Sequence, residues 1–169
     1  MQRTRDDEAF MAALTKHHDA LARFARLLTR SSEDAQDLTA ETVLKALESW
    51  HSVREPDAFR TFLFRIAHRL AMRHNYRHRL FDRIDDAMHD TFRTSEPSPE
   101  RATDASLVRD HLNRMSVAHR ECLVLVDVLG WSLEDVVAVQ GGTVGGLKAR
   151  LFRARQDLIR RTGDTHAVK

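Results

Sequence analysis

Apolar residues recur along most of this chain at helical rather than strand spacing. Leu14, Leu21, Phe24, Leu27 and Leu28 predict a first helix over about residues 6–29. Ser31 or Ser32 then stands where a helix cap belongs, with Glu33 and Asp34 in the first turn beside the positive end of the dipole. The helix they open is expected to run to about Ser49, burying Leu38, Val43 or Leu44, and Leu47. A short loop from Trp50 to Pro56 follows, and the Pro56-Asp57 pair signals a new start. The third helix has the clearest pattern. Phe59, Phe62, Leu63, Ile66, Ala67 and Leu70 form one amphipathic stripe, and the helix continues in basic form through Arg79.

The pattern then breaks. The stretch FDRIDDAMHDTFRTSEPSPERATD is acidic, holds Pro97 and Pro99, and lacks sustained periodicity, so a flexible linker is expected over residues 81–104. Periodicity resumes with Leu107, Val108, Leu112 and Met115. Ser116 caps a further helix that carries Cys122, Leu123, Leu125, Val126 and Leu129 and stops at Gly130. Ser132 and Asp135 have the spacing of a capping box at the head of a short helix, Leu133 to Val139. The glycine-rich turn QGGTVGG leads into a long basic helix from about Gly145 to Arg161. The expected fold is therefore all-α, with two small helical domains over 6–80 and 105–162 joined by the linker.

Composition agrees with this reading. Hydrophobic residues make up 42% and charged residues 31%, and glycine (6) and proline (3) are scarce, as suits packed helices. The single cysteine, Cys122, rules out an internal disulfide. The polar N-terminus has no signal-peptide core and no apolar run is long enough to span a bilayer, so a cytoplasmic protein without membrane insertion is expected. Net charge is only +2, but it is unevenly placed. Residues 57–80 and 141–169 each carry a net of +5, while residues 31–56 and 81–110 each carry −4. Two cationic patches alternate with acidic stretches, a pattern that suits a phosphate backbone and, from charge alone, equally a solvated helix face.

The short helix, glycine turn and basic helix have the form of a helix-turn-helix. On a wheel of about 100° per residue, Leu147, Leu151, Ala154 and Leu158 fall on an inward stripe. Ala149, Phe152, Arg153, Gln156 and Arg160 fall opposite, flanked by Lys148 and Arg155 on one side and Arg150 on the other. Fork donors, an amide and apolar contacts on one face are the set that reads base edges and thymine methyls in a major groove, and the flanking cations clamp phosphates.

The stretch HRECLVLVDVLGWSLEDVVAVQGGTVGGLKARLFRARQDL resembles region 4 of the extracytoplasmic-function (ECF) sigma factors of the sigma-70 family. The matching pieces are His119-Arg120-Glu121, Gly130, Ser132, Glu134-Asp135-Val136, Gly145, Lys148 and the run from Arg150 to Arg155. RFARLLTRSSEDAQDLTAETVLKALESW resembles that family's regions 2.1 and 2.2, and FRTFLFRIAHRLAMRHNYRHR its regions 2.3 and 2.4. The resemblance covers residues 12–79 and 107–160, in the family's order. It implies a transcription initiation factor that is not itself an enzyme and needs no cofactor. Its implied partners are core RNA polymerase, promoter DNA at the −10 and −35 elements, and an anti-sigma factor. The implied −35 residues are Lys148, Ala149, Arg150, Phe152, Arg153 and Arg155. The implied −10 residues are Arg65, Arg69, Arg73 and Arg77, with Trp50 near the loop that holds a flipped base; Phe59, also near it, is expected to be core. Polymerase is expected on Asp37, Leu38, Glu41, Thr42 and Lys45. Gly146, Ala149 and Arg69 stand where the family has Thr, Ser and Asn, so the turn is expected to be loose and poorly capped, and promoter choice to differ.

Other candidates read more simply. His74 and His78 have the i, i+4 spacing of zinc ligands, but Asn75-Tyr76-Arg77 lie between them and arginines crowd them, so no metal site is expected. His17 and His18 are expected at the surface, partly packed. Cys122 reads as a buried small hydrophobe. Asp37 and Glu41 form a carboxylate pair with no nucleophile or pocket beside it, which favours a protein contact over acid–base chemistry. Two alternatives remain: a sigma mimic that titrates an anti-sigma factor without binding DNA, and a plain helix-turn-helix regulator, which leaves residues 12–79 unexplained.

Overall fold

A computed structural model describes residues 2–53, 58–88 and 104–162. Among them the chain forms α1 (Gln2–Thr15), α2 (His18–Leu28), α3 (Ser32–Glu48), a 3-10 turn (Trp50–Ser52), α4 (Phe59–Met88), α5 (Asp104–Arg114), α6 (Val117–Leu123), α7 (Leu133–Gln140) and α8 (Val144–Thr162).

Serine caps set the starts of three helices. Ser31 Oγ accepts from the Asp34 amide at the head of α3, Ser116 Oγ from the His119 amide at the head of α6, and Ser132 Oγ from the Asp135 amide at the head of α7. Two expectations need correction. The single helix expected over 6–29 is two. Thr15 Oγ1 takes the Met11 carbonyl and the His17 amide turns back three residues to the Leu14 carbonyl, which tightens and ends α1. The third helix does not stop at Arg79. It runs to Met88, because residues 81–88 contain no glycine or proline and nothing there breaks a helix. The rest of the expected linker, 89–103, lies outside the described residues.

Helices α2, α3 and α4 pack together as the first module, around Phe10, Leu21, Phe24, Leu38, Phe59, Leu63 and Phe64. The second module sets α6 and α7 against α8, around Val124, Leu125, Val136, Leu147 and Leu151. Past α6 the chain widens into a π turn, Val124–Val128, with the Leu129 amide bonding to the Val124 carbonyl. It ends at Gly130, whose φ of 69° lies in the left-handed region.

The modules are packed against each other. α4 lies on α7, and α2 meets α5 and α6. At the seam the Phe64 and Trp131 rings are 4.7 Å apart, and the Arg60 guanidinium sits 4.3 Å over the indole while bonding Asp135 at 2.7 Å. That ion pair uses the Asp135 carboxylate outside its own helix, so only one half of the expected capping box forms. Arg120, 3% exposed, donates to the Leu28 carbonyl of the first module at 3.0 Å. Burial and the nearby Arg30 hold its pKa down to about 10. The Phe64 side chain is fully buried, worth about 1.5–3 kcal/mol, and it lies against the other module's Trp131. No helix among the described residues is long and apolar enough to cross a membrane.

Candidate nucleic-acid interface

The turn between α7 and α8 holds Gly141 and Gly142 at φ of 80° and 90°, where a side chain would be strained. Thr143 follows, and its Oγ1 accepts from the Gly146 amide at 3.1 Å. That bond caps α8, so the expected poor capping is corrected: the hydroxyl comes from Thr143 instead of position 146. Arg150 Nη1 donates to Gln140 Oε1 at 3.1 Å, tying α8 to the end of α7.

α8 has the orientation the wheel requires. Leu147, Leu151 and Ala154 are buried and Leu158 is half-buried. Lys148, Ala149, Phe152, Arg153, Gln156 and Arg160 are exposed on the opposite face, Phe152 by 64%. Not every cation is available. Arg155 is bidentate to Asp127, with Nε–Oδ2 at 3.0 Å and Nη2–Oδ1 at 2.6 Å, and this bonding raises its pKa. Arg150 is half-buried on Gln140. The open face is thus Lys148, Ala149, Phe152 and Arg153, with Gln156 and Arg160 continuing it.

The second cationic surface lies on α4. Arg65, Arg69, Arg73 and Arg77 are all exposed. Arg65 differs from the rest, since its Nη2 donates to the Ala138 carbonyl at 2.7 Å, on the outer end of α7. Trp50 is half-buried, with its ring edge-on to Phe10 at 5.6 Å and to Phe59 at 5.3 Å. Part of its ring is therefore engaged inside the protein, and the rest remains accessible. Phe59 is fully buried, a core residue as expected.

On α3, the expected polymerase set divides. Asp37 is exposed and Glu41 and Lys45 are half-exposed, but Leu38 and Thr42 are fully buried. The Thr42 hydroxyl donates to the Leu38 carbonyl at 2.6 Å, so neither side chain faces a partner. Periodicity placed Leu47, and either Val43 or Leu44, in the core; Val43 is half-buried, whereas Leu44 and Leu47 are 56% and 42% exposed. With Met11, Leu14, Ala40 and Val43 they line an open apolar groove of about 700 Å³ between α1, α2 and α3. Sequence reasoning missed this groove, although i, i+3, i+4, i+7 spacing of Ala40, Val43, Leu44 and Leu47 marks an apolar stripe. It also missed Tyr76, which is 70% exposed on α4.

Among the described residues no group of three or more His, Cys, Asp and Glu side chains is placed to hold a metal ion. The His78 side chain lies outside the described ones. His17 is half-buried and His18 exposed. Cys122 is buried, with its thiol on the His119 carbonyl at 3.1 Å.

Residues 13–81 match the family model Sigma-70 region 2. The ECF RNA polymerase sigma factor SigM of Mycobacterium tuberculosis is 31% identical over 165 residues, which cover 94% of this chain and 79% of that protein. Among solved structures, the sigma factor RpoE in complex with the anti-sigma factor NepR from Bartonella quintana superposes with a TM-score of 0.76 at 25% identity, covering 93% of this chain and 98% of that one. CnrH in complex with the cytosolic domain of CnrY gives a TM-score of 0.68 at 28% identity, covering 93% and 89%.

Proposed function

This chain belongs to the ECF RNA polymerase sigma factors, and from that premise we propose that it joins core RNA polymerase and directs initiation at promoters read by two of its helices. α8 reads the −35 element through Lys148, Ala149, Phe152 and Arg153, and α4 meets the −10 element through Arg69, Arg73 and Arg77. Polymerase makes the phosphodiester bonds; this chain contributes recognition and strand opening. The observation that carries the reading is the pair of exposed cationic helix faces, one in each module. A duplex is the partner that presents phosphates to both. The open α8 face also speaks against a mimic that has given up DNA.

Geometry requires the modules to separate for this. Elements numbered −10 and −35 lie about 25 base pairs apart, about 85 Å of duplex at 3.4 Å per pair. A compact chain of this length has a radius of gyration of only about 15 Å. The fifteen residues 89–103 joining α4 to α5 reach at most about 50 Å, so opening at the seam is within their span. Opening also releases Arg65 from the Ala138 carbonyl to join the α4 stripe.

The packed arrangement is the one we assign to the inhibited protein. The similar RpoE is in complex with an anti-sigma factor, and CnrH with the cytosolic domain of CnrY. We read the α1–α2–α3 groove, with Asp37, Glu41 and Lys45 beside it, as the surface where polymerase docks. Run-off transcription with purified core polymerase and a promoter library tests the proposal. Promoter-specific transcripts are expected; a chain that never associates with core enzyme would overturn it.

A further inference from the structure

We propose that the notch lined by Arg30, Asn75 and Arg120 at the module seam binds one chloride ion, and that the bound ion holds the two modules together. The site stands apart from the helix faces assigned to DNA and does not depend on that reading.

Arg120 is the reason to expect an anion. It belongs to α6, yet it is buried against the first module through its bond to the Leu28 carbonyl. A buried guanidinium ordinarily meets a carboxylate, because a charge taken out of water without a counter-charge is costly. Arg120 meets none. Its hydrogen bonds go to the carbonyl oxygens of Leu28, Asn113 and Met115 and to the side-chain oxygen of Asn113, all of them neutral. Its Nε, also buried, has no hydrogen-bond partner among the described residues. The carboxylate next to it on α6, that of Glu121, is engaged by His68. The charge that does act on it is a second cation, Arg30, which with burial lowers its pKa to about 10. Arg120 is still protonated at neutral pH, so two positive charges share this part of the seam.

The notch lies where these charges come together. Arg30 lines it from the turn between α2 and α3, Asp34 from the first turn of α3, His74 and Asn75 from α4, and Arg120 from α6. Two guanidinium groups against one carboxylate leave the lining positive while His74 is neutral. Asp34 stands at the positive end of the α3 dipole, which offsets part of its charge. Asn75, half-buried, adds an amide donor. Size then selects the anion. The notch offers about 20 Å³, and a water needs about 10–15 Å³. A monatomic anion fits; sulfate, phosphate and carboxylates are too large. Chloride is the common ion of that size.

The same geometry couples the ion to closure. Arg120 is the second module's contribution, and the other polar lining groups belong to the first. Parting the modules carries Arg120 away from Arg30 and Asn75 and dismantles the site. A ligand that binds only the closed form stabilises that form by mass action. Chloride thus acts with the His68–Glu121 and Arg65–Ala138 bonds against separation.

The test uses the full chain, with sodium gluconate exchanged for sodium chloride at constant ionic strength. The protein is expected to broaden the chloride NMR resonance, and bromide to reverse the broadening by competition. Arg120→Gln is expected to abolish binding. Arg30→Gln, at an exposed position, keeps the fold and is expected to weaken binding roughly tenfold, the scale of one charge removed near a protein surface. Arg23→Gln, exposed on α2 and outside the notch, is expected to bind as the parent does. The urea midpoint of the seam, read from Trp131 in a Trp50→Phe background, is expected to rise with chloride in the parent and to stay level in Arg30→Gln. Crystals grown in bromide are expected to show an anomalous peak between Arg30 and Arg120. If Arg23→Gln loses as much as Arg30→Gln, chloride reports surface charge alone and the site is refuted. A water in the notch of bromide-grown crystals refutes it as well. If chloride binds and the Trp131 midpoint does not move, the ion does not hold the modules together and the proposal falls, while promoter-specific run-off transcription is judged separately.

Discussion

His68 of α4 holds Glu121 of α6 across the module seam, its Nδ1 lying 2.7 and 2.8 Å from the two carboxylate oxygens. The Glu121 side chain is only 1% exposed and that of His68 20%, so the bond is shielded from water at the carboxylate. His68→Ala leaves that carboxylate buried without this partner. The expected loss is about 1–3 kcal/mol of stability, seen as a lower urea midpoint. Trp131 reports on the seam and Trp50 on the first module, so fluorescence of single-Trp variants is expected to show the seam giving way first. Replacing both partners by leucine is expected to recover part of the loss, because no charge is then left unpaired. Equal effects of the single and double changes would show that the bond does not couple the modules.

The bidentate Arg155–Asp127 pair, with both side chains a little over a third exposed, makes a separate prediction for the −35 surface. Arg153 is exposed and makes no such bond. Arg153→Ala is expected to weaken −35 binding by about 1–3 kcal/mol and to relax preference at one base pair. Asp127→Asn weakens the hold on Arg155 and removes a negative charge from the surface. It is expected to tighten DNA binding and steepen its salt dependence by about one phosphate contact. Stability is expected to change by less than about 1 kcal/mol, as for other exposed pairs. Binding titrations at several salt concentrations measure both effects.

The two leucines Leu38 and Leu44 of α3 are expected to behave in opposite ways. Leu44 is 56% exposed in the groove, whereas Leu38 is fully buried. Leu44→Asp is expected to abolish association with core polymerase while leaving the free energy of urea unfolding within about 0.5 kcal/mol of the parent. Leu38→Ala is expected to destabilise the first module by about 2–5 kcal/mol and to affect polymerase binding only through folding. Pull-down on core enzyme beside denaturation separates the two. Full polymerase binding by Leu44→Asp would move the docking surface elsewhere.

These contrasts also show how far the sequence could be read. The α8 wheel placed Leu147, Leu151 and Ala154 inside and Phe152 and Arg153 outside, because a helix with one clear apolar stripe has one way to face a core. The same periodicity misassigned Leu47 and left Val43 and Leu44 undivided. A stripe records that a face is apolar, but does not say whether this chain or a partner covers it. The cap at Thr143 was missed because it was sought at position 146, although the hydroxyl needs only to precede the helix. The seam was not legible at all. Nothing local marks His68 and Glu121, or Phe64 and Trp131, as neighbours across the chain, since such pairs are set by how two finished modules meet.

The glycines around the turn make a prediction with two signs. Gly145 lies within α8 with no atom within 4 Å of where a Cβ would stand, and its φ is not positive. Gly145→Ala is expected to stabilise the second module by about 0.5–1 kcal/mol, through helix propensity and a less mobile unfolded chain. Gly141 also has open space around it, but its φ is +80°. Gly141→Ala is therefore expected to destabilise by about 1–3 kcal/mol, through backbone strain alone. Thermal melts of the two variants are expected to shift in opposite directions. A shared direction would mean that the turn adopts another conformation in solution.

Burial gives the Cys122 thiol a measurable signature. Desolvation pushes its pKa up from an ordinary 9.0 to about 11, against a smaller opposing pull from Arg150. An acid held protonated by the fold loses its proton first in the unfolded chain, above pH 9.0, and in the folded chain only near pH 11. Between those values the native state binds more protons than the unfolded one, so stability falls as pH rises through that window and is untouched by this group below it. Cys122→Ala is expected to flatten that part of the stability profile. Alkylation by iodoacetamide at pH 8 is expected to be far slower in the native protein than in urea, since the thiolate is the reactive form and the sulfur is buried. Equal rates in the two states would mean that α6 opens readily and that Cys122 is not held in the core.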